Sequence, residues 1–392
     1  MGGRTLLILN ERDHRHPAAG GAELHITETG KRLAARGYQP TLLCTRVRGA
    51  AAEEIQDGMR IRRFGNRFTY YLMLPWMVRR ELRRPGTVII EHLNKLPFCS
   101  PLYARAPVLL LAHHLFGATA FKQVSLPVAC VVYVAEKVIP YVYRGRQFIA
   151  VSPSTRDDLV TRGVPAAAIT VIPNGLDHSR YHGRGRVADA RPTVLVLGRV
   201  EFYKRVELAL EAIRHLLPVL PDIHLLVVGD GGARSTLEAQ AREMGLATHV
   251  TFTGFVSETA KVAYIRRAHV VVNTSDKEGW GLTVLEANAC GLPVVASDVP
   301  GLRDAVRDGE SGVLVPHEDV GRLAETLRRL LEDAAWRARL SAGAREWAQR
   351  FSWDGATTEI AAVIEAVAQH SGTAADTALA GEPRRRSLGG GA

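Results

Sequence analysis

The sequence predicts an α/β protein built as two Rossmann-like halves facing a central cleft, and three observations carry that expectation. Its 392 residues exceed what one ordinary hydrophobic core accommodates. Short apolar runs rich in Val, Ile and Leu alternate with helix-length amphipathic stretches, and many of those runs end in glycine, histidine or asparagine. Near the middle, Tyr181 to Pro192 (YHGRGRVADARP) breaks the pattern with a Gly/Arg/Pro linker. Residues 1–182 are therefore expected to form one half and residues 191–350 the other.

In the first half, Arg4 to Asn10 (RTLLILN) reads as a strand. Gly20-Gly21-Ala22-Glu23 opens an amphipathic helix to about Arg36, with Gly37 as its stop. Small residues at that turn let a ligand approach the backbone. The turn is no dinucleotide fingerprint, because G-x-G-x-x-G is missing, and no G-x-x-x-x-G-K-[ST] occurs either. Arg60 to Arg84 and Leu126 to Arg146 mix aromatic and aliphatic residues with arginines; both read as helices with exposed arginines, and their composition also suits an anionic membrane face.

Thr87 to Ile90 and Val108 to Ala112 read as buried strands. They run into Glu91-His92 and His113-His114, at the edge where open α/β sheets hold ligands. Adjacent histidines on a strand point opposite ways and no carboxylate-rich motif accompanies them, so a metal site is not expected. Phe148 to Val151 reads as another strand, with Ser154 or Thr155 capping the helix that follows. Val171 to Asp177 (VIPNGLD) ends the half in an Asn-Gly turn, where Asn174 is expected to line the cleft.

In the second half, the strand Thr193 to Leu197 ends in Gly198-Arg199, and a helix starts at about Arg205. Arg199 and Lys204 thus fall at the ligand edge, where a guanidinium fork and an ammonium would neutralise phosphates. Leu225 to Val228 is a strand ending in Gly229-Asp230-Gly231-Gly232, and Val250 to Val256 runs past Phe255. Ala268 to Ser275 is a strand, and Leu282 to Cys290 a helix.

Between the last two lies the most informative stretch, Glu278-Gly279-Trp280-Gly281-Leu282-Thr283-Val284-Leu285-Glu286. One carboxylate precedes the helix and one lies within it, separated by roughly 10–12 Å at the helical rise. The free N–H groups and positive dipole end at Gly279 to Leu282 can accept a diphosphate between them. Two glutamates at this interval ordinarily mark a solvated helix face. Here the glycines, Arg199 and Lys204 favour a clamp for a nucleoside diphosphate sugar, with hexose hydroxyls on one carboxylate and ribose hydroxyls on the other.

This segment resembles the E-x7-E motif of retaining glycosyltransferases with two Rossmann-like domains, the GT-B fold of glycosyltransferase family 4. The order GR…K, VVGDGG, FTGFV and EGWGL…E is also similar to that family's. The resemblance covers about residues 4–370 and implies the following roles. Gly198, Arg199 and Lys204 bind the diphosphate, with Gly229 and Asp230 beside the nucleotide. Phe255 and Val256 present backbone to the base, and Glu286 holds the ribose. Gly279, Trp280, Gly281 and Leu282 surround the phosphates, and Gly20-Gly21 forms the glycine-rich loop of the acceptor half. His113 aligns with the family's active-site histidine; His114 stands where the family has aspartate, and His92 is a weaker acceptor-side candidate. Glu278, Arg199, Lys204 and His113 form the implied catalytic set. The resemblance further implies a final helix, about 352–370, that crosses back to the first half. It implies no metal and no cofactor, with the nucleotide sugar as a substrate and front-face transfer to a hydroxyl. Residues 371–392 are expected to be disordered.

Composition fits these expectations. Net charge is +10 without a nucleic-acid-reading motif, so anionic donors and an anionic membrane face are the expected partners rather than DNA or RNA. No uninterrupted 18-residue apolar run and no signal peptide are seen, and Cys44, Cys99, Cys130 and Cys290 lack CxxC spacing. The expected place is cytoplasmic, with peripheral contact at the inner membrane face. The acceptor class expected first is an envelope lipid or polysaccharide, and second an antibiotic saccharide. Two other function classes remain open here: a nucleotide-sugar epimerase of the same architecture, and a non-catalytic sugar-binding partner.

Overall fold

The computed structural model describes residues 3–83, 86–93, 96–117 and 125–380, the last ten of these by backbone alone. Eight strands form the first sheet: β1 Thr5–Leu9, β2 Gln39–Cys44, β3 Glu53–Gln56, β4 Met59–Arg63, β5 Val88–Leu93, β6 Val108–Ala112, β7 Gln147–Ala150 and β8 Ile169–Val171. Their order is β3-β4-β2-β1-β5-β6-β7-β8, parallel throughout apart from the β3/β4 pair. Six strands form the second: β9 Thr193–Leu197, β10 His224–Val228, β11 Val250–Phe252, β12 Val270–Asn273, β13 Val294–Ser297 and β14 Gly312–Val315. These are all parallel, in the order β11-β10-β9-β12-β13-β14. Strands such as VLLLA and VVVN are apolar at nearly every position because helices cover both faces.

The helices on the first sheet are α1 Gly21–Ala35, α2 Thr69–Glu81, α3 Leu126–Lys137, α4 Ile139–Val142 and α5 Pro153–Thr161. On the second are α6 Val206–Leu216, α7 Arg234–Glu243, α8 Glu258–Arg267, α9 Leu282–Ala289, α10 Leu302–Ala305, α11 Val320–Glu332 and α12 Ala334–Ala348. The final helix, α13 Trp353–Ala380, packs against α1. Ile360, Ile364 and Val367 share a core with Ile26 and Leu33, and Glu365 accepts from Arg4 at 2.8 Å and from Tyr38 at 2.9 Å.

Four expectations change. Residues 60–84 are not one helix: Met59–Arg63 pairs with β2, and the helix starts only at Thr69. The stretch 126–146 is split at Val138, where Pro140 enters the first turn of α4 and cannot donate a backbone hydrogen bond. The cap of α5 is Ser152 rather than Ser154 or Thr155; its hydroxyl accepts from Thr155 N at 3.1 Å. The final helix continues to Ala380, so 371–380 is helical rather than disordered, and 381–392 lies outside the described residues.

Each sheet reverses winding direction once, between β1 and β5 in the first and between β9 and β12 in the second. Ligand crevices in such sheets lie outside the carboxyl ends of the strands at these points. The residues found there are Asn10 and Glu91-His92-Leu93 on one side, and Gly198-Arg199 and Thr274 to Glu278 on the other.

Candidate functional site

The two crevices face each other. The N-terminus of α1 supplies one wall, and Glu23 Oε2 fixes the entry by accepting from Gly20 N at 2.7 Å. A Cβ placed on Gly20 would lie 3.8 Å from the Arg199 guanidinium, and one on Gly21 would lie 3.1 Å from Leu282 Cδ1. The glycine-rich turn therefore approaches the diphosphate candidates of the second half as closely as the backbone permits.

Across the cleft, Lys204 Nζ pairs with Glu278 Oε1, which also accepts from Ser275 Oγ at 2.9 Å. Burial disfavours charge on both groups. The mutual attraction outweighs it, leaving the Lys204 pKa raised and the Glu278 pKa lowered. Arg199 is exposed, touches Tyr203 Oη at 3.2 Å and pairs with no carboxylate among the described residues. An unpaired guanidinium thus stands beside a neutralised pair at the start of α9.

Gly198 and Gly229 make this approach possible. Gly198 has φ +123 and Gly229 φ +142, and a Cβ on Gly229 would fall 1.8 Å from Gly198 O. Gly229 also bridges to Gly254, joining the loop after β10 to the loop that carries Phe255 and Val256. The Phe255 ring is exposed, whereas Val256 packs on the core of the second sheet. Asp230 keeps its side chain outward near Arg234, and its carbonyl accepts from Val200 N at 2.9 Å.

Glu286, one turn inside α9, is buried. Lys261 Nζ donates to its Oε1 at 3.1 Å, while Oε2 is buried with no hydrogen-bond partner. The Tyr181 hydroxyl is near enough to lower the Glu286 pKa but donates to Glu258 Oε2 at 2.5 Å. Burial wins, and the Glu286 pKa is raised. A buried carboxylate oxygen without a donor is costly unless a ligand completes it.

Trp280 differs from its expected position. Its indole is buried against Phe351, ring centroids 5.1 Å apart, in the core shared with the final helix. Only its backbone, with that of Gly279 and Gly281, lies on the turn. Gly279 is held tightly: a Cβ there would meet His113 O at 2.4 Å.

The histidines sort by face. His113 lies at the end of β6, with Nε2 3.0 Å from His92 Nδ1 and the two rings stacked. His25 of α1 stands edge-on to both rings, and its Nδ1 lies 2.8 Å from Asn174 Oδ1. Asn174 is thus turned toward His25. Burial, followed by the neighbouring imidazoles, holds His113 well below the ordinary histidine pKa, and burial brings His25 down to about 4. His114 points the other way, toward Lys277, Glu278, Arg199 and Lys204; burial and then the Lys277 charge bring it down to about 4. All three are neutral at pH 7. The geometry therefore puts His113 in an imidazole cluster of the first half and His114 against the charges of Lys277, Glu278, Arg199 and Lys204.

Three contributors escaped sequence reasoning. Lys277 bridges the cleft, donating to Leu115 O and Asp158 Oδ2 at 2.8 Å each; its position next to Glu278 was the available signal. Lys261 and His25 each sit about one turn into a helix, and no motif distinguishes them from ordinary helix residues. Asp276, His317 and Glu318 have ligand atoms within 4.8 Å of one another. However, Arg205 Nη1 bonds to Asp276 at 3.1 Å and to Glu318 at 2.5 Å, so a guanidinium already supplies the positive charge.

Comparison with known proteins covers both halves. Residues 178–347 match the family described as glycosyl transferases group 1, and residues 19–180 match glycosyltransferase family 4. A D-inositol 3-phosphate glycosyltransferase of Acidothermus cellulolyticus is 37% identical over 228 residues, 56% of this chain and 51% of that protein, so the chain spans about half of its length. A glycogen synthase of Mycobacterium tuberculosis is 29% identical over 379 residues, 88% of this chain and 90% of that one. Among solved structures, a sucrose-phosphate synthase of Thermosynechococcus elongatus superposes with TM-score 0.76 at 24% identity, covering 97% of this chain and 100% of that one. Anabaena HepE in complex with UDP and glucose gives TM-score 0.76 at 21% identity over 93% of this chain and 100% of that one. With family matches over both halves and this shared two-domain architecture, the chain belongs to glycosyltransferase family 4 and has the GT-B fold.

Proposed function

We propose that the protein transfers a hexose from a nucleoside diphosphate sugar to a hydroxyl acceptor, with retention of anomeric configuration and without a metal ion. The observation that carries this reading is the arrangement at the start of α9. Arg199 without a carboxylate partner, the Lys204–Glu278 pair and the donor-less Oε2 of Glu286 are gathered around the start of one helix. Arg199 and Lys204 receive the diphosphate together with the backbone N–H groups of Gly281 and Leu282, and they take up its charge as the glycosidic bond breaks. Glu286 accepts from ribose hydroxyls, and Glu278 holds a hexose hydroxyl. The base lies along Phe255 and Val256, with Gly229 and Asp230 beside the nucleotide.

The acceptor enters from the opposite wall over Gly20 and Gly21. In this reading His113 helps to position it against the donor sugar, and His114 lies against the donor-side charges. No side chain is offered as a nucleophile; the acceptor attacks on the face the diphosphate leaves, and a donor phosphate oxygen takes its proton. The relatives and solved neighbours named above include proteins that use an inositol phosphate or bind UDP and glucose. Another relative is a phosphatidyl-myo-inositol mannosyltransferase of Mycobacterium leprae, 36% identical over 202 residues. We extend from these to an envelope lipid or polysaccharide acceptor handled on the cytoplasmic side, with peripheral membrane contact through α2 and α3. Exposed Phe68 just before α2, with Leu72, Trp76, Val131 and Val134 on the two helices, supports that contact, and no described helix is long and apolar enough to cross a membrane.

A panel of nucleotide sugars, each offered with and without simple alcohol acceptors, tests the reaction. Release of nucleoside diphosphate only when an acceptor is present supports transfer. Epimerised donor without an acceptor would replace it with the epimerase reading.

A further inference from the structure

A second cavity lies beside the two chain segments that join the halves. His178, Tyr181, His182, Gly183 and Arg184 of the linker face Ala289 at the end of α9, and Arg345 and Gln349 at the end of α12, around a cavity of about 500 Å³. The second crossing segment closes it, since His178 Nε2 donates to Phe351 O at 2.8 Å. Both joining segments therefore contribute to its surroundings.

The guanidinium groups that line it have no carboxylate in the lining. Arg184 and Arg345 line the cavity, and Arg266 lies behind His182, with Nη2 3.2 Å from that ring's Nδ1. Arg186 is close enough to Arg345 that burial and the neighbouring guanidinium charges of Arg337 and Arg345 lower its pKa. None of Arg184, Arg186, Arg266 and Arg345 pairs with a carboxylate among the described residues. Elsewhere the linker's neighbours are paired normally, as in Arg267 with Asp189 at 2.9 Å and Arg180 with Glu258 at 3.5 Å. Moreover, Arg186 Nε and Arg266 Nε are buried without any hydrogen-bond partner.

A structural explanation is at hand and falls short. The cluster sits at the carboxyl end of α9, whose dipole attracts cations with roughly half a unit of negative charge. Four guanidinium groups exceed that several-fold, and two of them, the half-buried Arg186 and Arg266, keep an Nε without a partner.

We propose that this cavity binds a small phosphate-bearing anion, such as pyrophosphate or a phosphomonoester, between the linker and the end of α12. Arg345 and Arg184 contact it directly, His182 and His178 frame it, and Arg266 and Arg186 supply the surrounding positive potential. Because Tyr181 borders the cavity and also donates to Glu258 beside Glu286, the bound anion restrains the hinge next to the donor half.

Calorimetric titration of the full chain with inorganic pyrophosphate tests this. Two sites are expected, one lost in Lys204→Ala and the other weakened at least tenfold in Arg345→Ala. Arg184→Glu keeps the test independent of folding, because Arg184 is an exposed linker residue; it too should weaken the second site at least tenfold, while melting temperature stays unchanged. That site should also weaken steeply with added sodium chloride, as expected for an interaction of charges near the surface. A single site that disappears in Lys204→Ala and is unchanged in Arg184→Glu and Arg345→Ala would overturn the proposal, as would a second site indifferent to both hinge substitutions.

Discussion

Arg199 of the second half lies directly over Gly20 of the first, its guanidinium 3.8 Å from where a Gly20 Cβ would stand. A ligand held by Arg199 is therefore already within reach of the turn that opens α1. Lys204 and Glu278 complete this floor as a half-buried ion pair, so their contributions to charge handling and to stability can be separated.

Replacing Lys204 with methionine should lower turnover by roughly 10²–10³, the scale of losing one preorganised charge at the leaving group. It also leaves the half-buried Glu278 without its partner, which should lower stability as well. The lowered Glu278 pKa gives the sign of the pH effect: its contribution is present above the unfolded carboxylate value of about 4.3 and is lost as pH falls through the folded value. Wild type should thus lose stability on acidification more steeply than Glu278→Gln, whose curve lacks this component. Normal turnover in a folded Lys204→Met protein refutes the assignment.

Glu286→Gln should behave in the opposite way. Its carboxylate already costs stability at neutral pH, because burial raises its pKa and Oε2 has no donor. The amide should leave the melting temperature within a few degrees of wild type while weakening nucleoside diphosphate at least tenfold. Unchanged affinity would remove the ribose role.

The fold was legible because parallel strands covered on both faces are uniformly apolar and end at glycine, as TVLVLG and HLLVVG do. The turns of the second half were legible for a related reason: the positive φ of Gly198 and the close backbone approach at Gly229 and Gly279 demand glycine, and the charged residues follow within a few positions. Side-chain direction was not. Whether Trp280 or Asn174 faces the cleft depends on partners more than 70 residues away in sequence, Phe351 and His25. Lys277 likewise bridges to Asp158 across the cleft, a pairing that no local pattern announces. The arginine-rich stretch 60–63 looked helical because strand pairing to β2 is also a long-range property.

Lys277→Ala removes both bonds that this residue makes across the cleft. Small-angle scattering should then show a larger radius of gyration than wild type, and saturating nucleoside diphosphate should reverse part of the difference by drawing the walls together. Superimposable profiles would mean that the remaining contacts, such as Ser154 N to Asp304 Oδ2 at 2.9 Å, suffice to hold the halves.

Activity should survive EDTA. The leaving diphosphate has Arg199, Lys204 and the N-terminus of α9 to meet its charge, and the carboxylates around Asp276 are occupied by Arg205. Loss on chelation, restored by Mg²⁺ or Mn²⁺, would transfer that role to a metal.

The histidines and the stereochemistry form the last test. His25 and His114 are held near pKa 4 by burial, so each is neutral when folded but takes a proton when unfolded below about pH 6.5. Their contribution to stability is therefore complete above that value and falls as the pH drops toward 4. Turnover should show no titration near pH 6.5 from these residues, since neither changes charge there in the folded state. His113→Ala should keep nucleoside diphosphate binding, because its ring contacts His92 and His25 rather than Arg199 or Lys204. It should nevertheless lose most transfer if the imidazole cluster positions the acceptor. His114→Ala, which removes a neighbour of Glu278 and Lys204, should also raise KM for the donor. Full transfer in His113→Ala would shift the acceptor-side role to another residue. Product NMR then decides the stereochemistry: retention requires the same anomeric configuration in product as in donor, and an inverted product would leave the fold and the clamp intact while excluding attack on the face the diphosphate leaves.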